Sequence, residues 1–222
     1  ESSGIVFDLD KVGPVELATA SFGQGNAVTP IQLVTATSAA INGGKLYRPY
    51  VLKEIRLPIT NDIIYEQKPQ LVRQVISEET SAKVRYALEH VVAKGTGRNA
   101  FIDGYRVGGK TGTAQKAVEG KYLDNNYIVS FIGAAPMNDP ELVVYVAIDN
   151  PKNVIQYGGV VAAPVVKEIL EEALPILGIE RQKEQIEKDL RWGMDIKYYL
   201  VPNLIGKKKS ELPPQIHYRY QF

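Results

Sequence analysis

The sequence predicts an α+β fold built on an antiparallel sheet with helices on its flanks, and three observations carry that prediction. Residues 127–134 and 142–148 are apolar, β-branched runs, joined across Pro136 to Pro140 by a connection short enough for an antiparallel pair. Ahead of them, residues 105–115 hold too many glycines for a helix interior and alternate β-branched with small residues, the texture of a third strand. Helical patterns stand on both sides, and successive strands bracketed by helices suit an antiparallel layer better than a doubly wound parallel sheet.

In chain order, residues 13–42 read as helical in two pieces. Pro14 suits a helix start, Gly23-Gln24-Gly25 interrupts, and Thr29-Pro30 pairs an N-cap residue with proline in the first turn. Ile31, Val34, Ala39 and Ile41 then lead to the stop at Asn42-Gly43-Gly44. Pro49 and Pro58 divide residues 45–64 into short strands around Leu46, Tyr47, Val51 and Ile55. Ser77-Glu78-Glu79-Thr80 opens another helix, with Val84, Leu88, Val91 and Val92 on one face until Gly95 and Gly97 end it. Glu119-Gly120 reads as a turn. Gly158-Gly159 precedes an amphipathic helix over residues 162–177 that Pro175 interrupts late. The charge-dense stretch after Gly178 reads as a linker helix over residues 179–200, and a separate segment begins at residue 201. The expected organisation is one domain over residues 1–178, the linker, and an appended piece over residues 201–222.

Composition removes several function classes. The 222 residues are 45% apolar and 23% charged, the balance of a folded globular protein. With 26 Lys and Arg against 25 Asp and Glu, the net charge of +1 leaves no electrostatic footprint for nucleic acid. The absence of cysteine rules out disulfides, thiolate nucleophiles and Cys-ligated zinc, and His90 and His217 are too far apart in sequence to suggest a metal site. No run approaches the roughly 20 apolar residues of a membrane span, and Glu1 to Gly4 do not resemble a signal sequence. The missing initiator Met suits a fragment of a longer protein, with any anchor upstream.

Lys110 is the most informative residue. Gly104 to Thr111 matches the phosphate-binding pattern G-x-x-x-x-G-K-[ST] letter for letter, and the apolar run ending at Asp149 even offers a magnesium-positioning carboxylate. A phosphate loop must leave a buried strand and open a helix. Here the preceding residues 98–103 are polar, and Gly112 and Thr113 are poor helix openers. On the competing reading, Lys110-Thr111-Gly112-Thr113 lies on a strand lining a cleft. Lys110 supplies fixed positive charge beside a serine nucleophile's machinery and favours an anionic substrate. The Thr111 and Thr113 hydroxyls point to one side and hold a carboxylate. Gly112 lets a substrate backbone lie against the strand as an added β-strand, and the Thr113 N–H serves as an oxyanion donor.

Residues 107–115 resemble the K-T-G-T strand of penicillin-binding proteins, the serine transpeptidases of peptidoglycan. The likeness extends to Ala20-Ser21-Phe22-Gly23-Gln24-Gly25 with Val28-Thr29-Pro30-Ile31-Gln32-Leu33, which is similar to the S-F-G-x-G-x-x-V-T-P-x-Q-L segment of the class B enzymes. Asn42-Gly43-Gly44, Tyr47-Arg48-Pro49, residues 131–136, Asp149-Asn150-Pro151, Tyr157-Gly158-Gly159 and Ala163-Pro164-Val165 follow in the family's order. Residues 201–212 look like the opening of a PASTA domain, a small module appended to some Gram-positive members.

The resemblance implies the three-layer transpeptidase fold shared with serine β-lactamases. It implies acyl transfer from D-Ala-D-Ala stem peptides, inhibition by β-lactams, no cofactor and no metal. Lys110 and the Thr113 backbone would be catalytic, with Thr111, Gly112, Thr113 and Tyr157 binding substrate. Tyr157 beside its glycines suits plain packing equally well. The family's S-x-x-K and S-x-N motifs have no counterpart here; Thr80-Ser81-Ala82-Lys83 comes nearest and reads as a capped helix start. The nucleophile would therefore lie in an upstream part of the same protein, and this chain alone would be inactive. The expected setting is the extracytoplasmic face of a bacterial membrane, in sporulation or division, beside a lipid II-polymerising glycosyltransferase. The alternatives are a P-loop-like nucleotide-binding domain and a non-catalytic wall-binding module.

Overall fold

The computed structural model describes residues 2–6, 8–21, 23, 25–118 and 121–189. The PASTA-like segment, His217, the far half of the expected linker, Phe22, Gln24 and the Glu119-Gly120 turn lie outside the described residues. A 3₁₀ turn (Leu9–Lys11) and α1 (Pro14–Ala20) lead to α2 (Pro30–Ile41), and two small hairpins follow. Their strands are β1 (Lys45–Tyr47), β2 (Glu54–Arg56), β3 (Ile63–Glu66) and β4 (Leu71–Gln74), with β1 pairing β4 and β2 pairing β3. Then come α3 (Glu78–Ala93), a 3₁₀ turn (Arg98–Ala100), β5 (Gly108–Val118), β6 (Lys121–Ala135), β7 (Leu142–Asp149), α4 (Gly158–Val161) and α5 (Ala163–Ile176). Val51, expected near a strand centre, lies outside the strands and is fully exposed.

The helix boundaries follow the sequence signals. Thr29 accepts from the Gln32 N–H at 3.3 Å, while the Gln32 side-chain oxygen accepts from the Thr29 N–H at 2.9 Å, a reciprocal capping box with Pro30 in the first turn. Ser77 caps α3 through the Thr80 N–H at 3.1 Å. The end of α2 is closed by α3: the Ser81 hydroxyl donates to the Ala40 carbonyl at 2.8 Å and accepts from the Gly43 N–H at 3.0 Å. Arg85 donates to the Ile41 carbonyl at 2.7 Å. Ser81 is thus a fully buried joint between two helices, and Lys83 pairs with Glu79 at 2.6 Å on the surface. Thr80 to Lys83 form a helix start, as the sequence suggested.

The main sheet is antiparallel in the order β5-β6-β7. Because side chains alternate across a strand, Phe131, Ala135, Val144 and Val146 face one side, where Val166, Leu170 and Leu174 of α5 pack with no exposed area. Ala134 and Val143 face the other, against Ile41 at the end of α2 and Val84 and Leu88 of α3. Helix, sheet and helix make the three layers.

The linker expectation needs correction: no helix forms over residues 180–189. Helix α5 ends in a Schellman arrangement, with Gly178 at φ +74°, its N–H on the Pro175 carbonyl at 3.0 Å and the Ile179 N–H on the Leu174 carbonyl at 3.0 Å. The chain then turns back along the domain without regular secondary structure through residue 189. The Gln182 N–H donates to the Gly104 carbonyl at 2.7 Å and the Asp189 N–H to the Ala93 carbonyl at 3.2 Å. The charges do not mark a free linker, because Arg181 lies 5.0 Å from the Tyr105 ring centre and Lys188 5.8 Å from that of Phe101.

Candidate active site

Lys110 to Thr113 sit in regular register on β5, opposite Ile132, Phe131, Ser130 and Val129 in turn. Alternation puts Thr111 and Thr113 on the face that carries Phe131 and Val129, and Lys110 and Gly112 on the opposite face. The lysine and the two hydroxyls therefore meet only beyond the strand's outer edge. Strand β5 is an edge strand of the described sheet, with one side unpaired along its length. The Lys110 ammonium is exposed and donates to the Thr111 carbonyl at 3.0 Å.

The nucleotide alternative fails on this geometry. The would-be phosphate loop is a tight turn followed by a strand, with Lys110 inside the strand rather than at a helix N-terminus. Asp149, its would-be magnesium carboxylate, is bonded at 2.9 Å through each oxygen to Lys116.

A second segment closes on β5 from the threonine face. A Cβ on Gly158 would collide with the Ser130 carbonyl oxygen and stand 2.7 Å from that of Gly112. One on Gly159 would strike the Thr96 carbonyl and lie 3.2 Å from the Thr111 methyl. Only glycine lets α4 approach the strand this closely. Asn99 holds the approach by donating to the Gly159 carbonyl at 2.8 Å. Tyr157, at the N-cap of α4, is thereby carried to the middle of β5 with 62% of its surface exposed, so it is not packed into the core.

Three residues at this site had no assigned role in the sequence. Thr96 brings its hydroxyl to 3.4 Å from that of Thr111. Asn99 pins α4, and Ser130 fills the space beneath Gly112, where a Cβ would collide with its hydroxyl. The glycines at 95, 97, 158 and 159 were the visible signal. Pairing Thr96 with Thr111 requires the fold.

The lead-in to β5 is anchored on α3. Arg106 clasps Glu89, only 2% exposed, through Nε at 3.0 and 3.2 Å and Nη2 at 2.8 Å. That hydrogen bonding holds the guanidinium above its ordinary pKa, against the opposing effect of burial. The stabilisation that this raised value represents is fully present below the ordinary arginine range and is lost as pH rises through the raised value.

Comparison with known proteins agrees with this architecture. Residues 1–171 match the family described as penicillin binding protein transpeptidase domain. The chain is 61% identical over 212 residues to "Stage V sporulation protein D" of Bacillus subtilis (strain 168), covering 96% of this chain and 33% of that protein. It is 38% identical over 174 residues to the "Peptidoglycan D,D-transpeptidase FtsI homolog" of Mesostigma viride, covering 73% of this chain and 29% of that one. The chain thus spans about a third of the length of the curated relatives it matches. The crystal structure of penicillin binding protein 3 from Mycobacterium tuberculosis, complexed with ampicillin, superposes with a TM-score of 0.74 at 27% identity, covering 86% of this chain and 45% of that one. With a family match running from Glu1 through α4 and into α5, this chain belongs to the penicillin-binding protein transpeptidase domain family.

Proposed function

We propose that the chain supplies the lysine-strand wall of a serine D,D-transpeptidase site. The observation that carries the proposal is an edge strand offering Lys110 on one face, Thr111 and Thr113 on the other, and an unpaired rim between them. An extended peptide adds to such a rim by backbone hydrogen bonds. Its terminal carboxylate is held by the Thr111 and Thr113 hydroxyls, within the field of Lys110. Gly112 keeps the rim free of a side chain, the Thr113 N–H stabilises the developing oxyanion, and Tyr157 borders the cleft.

The nucleophilic serine belongs to a part of the protein that precedes Glu1. It attacks the carbonyl of the penultimate D-Ala; the amide C–N bond breaks, and the terminal D-Ala leaves with the proton taken from the serine. An amine from a second strand then attacks the acyl-serine ester, forms the cross-link and returns a proton to the serine. A β-lactam enters the same cycle and stops at the ester. The setting proposed is the extracytoplasmic face of a Gram-positive membrane, with an anchor upstream, a PASTA-like module at residues 201–222 and a glycosyltransferase that polymerises lipid II as partner. The 61% identity to a sporulation protein supports a role in sporulation over one in division.

The test is fluorescent-penicillin labelling of the full-length protein, followed by mapping of the adduct. A serine ester is expected, formed at least tenfold more slowly in a Thr111→Val, Thr113→Val variant that lacks both hydroxyls, since each charge-assisted hydrogen bond contributes about 1.5–3 kcal/mol. No adduct, with binding to purified wall retained, would replace the proposal with a wall-binding module.

A further inference from the structure

The strap at residues 180–189 reaches the turn that launches β5. Residues 102–105 form that turn, with Gly104 at φ +82° and the Tyr105 N–H on the Ile102 carbonyl at a long 3.2 Å. Ile102 and Tyr105 are 1% and 3% exposed, and Gly104 is buried, so the turn's peptide groups need partners from the protein. The Gln185 side chain supplies them. Its Oε1 accepts from the Gly104 N–H at 2.8 Å, and its Nε2 donates to the carbonyls of Ile102 and Tyr105, each at 2.8 Å. Glutamine fits because it offers an acceptor and two donors on one planar group; glutamate would keep the acceptor and lose both donors.

This turn is held on two sides, by Gln185 from the strap and, one residue on, by the Arg106–Glu89 pair. Val107 follows, 3% exposed and bonded through its N–H to the Tyr105 carbonyl at 2.9 Å, and β5 begins at the next residue. A shift of the turn therefore has no slack in which to dissipate before Lys110. We infer that Gln185 is a positioning residue of the transpeptidase site: its amide fixes the turn that sets where the Lys110 to Thr113 strand lies. This rests on the transpeptidase reading for its catalytic consequence, while the mechanical link to β5 stands independently.

The experiment compares the full-length protein with Q185L and Q185E variants in two measurements. The first is hydrogen exchange at the amides of residues 108–113, with β7 as internal reference. In Q185L these amides are expected to exchange on the order of tenfold faster while those of β7 are unchanged. The second separates the noncovalent binding constant of a fluorescent penicillin from its acylation rate. Acylation is expected to slow by roughly tenfold or more, with binding changed much less, because misplacement of reacting groups acts on the chemical step. In Q185E the defect should lessen as pH falls and the carboxyl gains a proton to donate, a dependence absent from the native protein and from Q185L.

Unchanged exchange at residues 108–113, or faster exchange with an unaltered acylation rate, overturns the inference. If the native protein takes up no penicillin, the transpeptidase reading fails and the exchange comparison alone decides the link to β5. If Q185L does not fold, Q185E carries the same comparison, and a pH-independent exchange pattern in it counts against the inference.

Discussion

Replacing Arg106 with alanine tests the most concentrated electrostatic feature of the domain. Glu89 is 2% exposed, and all three of its close hydrogen bonds to Arg106 vanish in the variant. Breaking a buried pair by removing one partner costs about 3–5 kcal/mol, because the remaining charge is left uncompensated. The Arg106 side chain is 31% exposed, so water enters the vacated space and the loss should sit at the lower end, about 3 kcal/mol. With a urea dependence of about 1–3 kcal/mol per molar, the unfolding midpoint should fall by roughly 1–3 M. A double variant, Glu89→Leu with Arg106→Met, should recover most of that loss, since an apolar pair of similar volume carries no stranded charge. The assay is urea unfolding of the native protein, Arg106→Ala, Glu89→Leu, Arg106→Met and the double variant, the native protein and the last three forming a double-mutant cycle. A loss below about 1 kcal/mol for Arg106→Ala, or a double variant no more stable than it, would refute the view that the buried Glu89 anchors the lead-in to β5 through this pair.

Other perturbations follow from the same contacts. Gly158→Ala should push α4 off β5, because the carbonyls of Ser130 and Gly112 are backbone and cannot swing aside; slower penicillin acylation together with a lowered melting temperature is expected, and unchanged values for both would refute the close approach. Ser81→Ala should destabilise by about 1–3 kcal/mol in urea unfolding, since the Gly43 N–H and Ala40 carbonyl lose a buried partner. Leu170→Ala, at a position with no exposed area between α5 and the sheet, should cost about 2–5 kcal/mol; a loss under about 1 kcal/mol would mean the layer collapses around the gap.

What the sequence made legible is what short-range physics dictates. The Thr29-Pro30 helix start, the helix opening at Ser77 and the alternation of β6 and β7 each depend on residues within a few positions of one another, and they appear where the local sequence put them. The cluster around Lys110 was visible for the same reason, being four consecutive residues with one backbone conformation. Distance in sequence hid the rest. Thr96 meets Thr111 fifteen positions away, Glu89 meets Arg106 across the end of α3, and the Gly158 contact with Ser130 joins segments that no local pattern pairs.

The strap shows why charge density misled. A run rich in Lys, Glu, Arg and Gln has the composition of a solvated helix, but composition does not record what those charged heads rest against. Between residues 180 and 189 the Arg181 guanidinium and the Lys188 ammonium lie over the rings of Tyr105 and Phe101, and the Gln185 amide partners the peptide groups of a buried turn. The local sequence did hold the opposing signal: Leu177-Gly178-Ile179 supplies the left-handed glycine and the apolar residue after it that a Schellman stop requires, and Ile179 packs against the core. Once the helix must stop at Gly178 and the next apolar residue must return to the domain, residues 180–189 are directed along its surface. Their polar groups then need partners, and the turn at Gly104 is where the Gln182 backbone N–H and the Gln185 side chain find them.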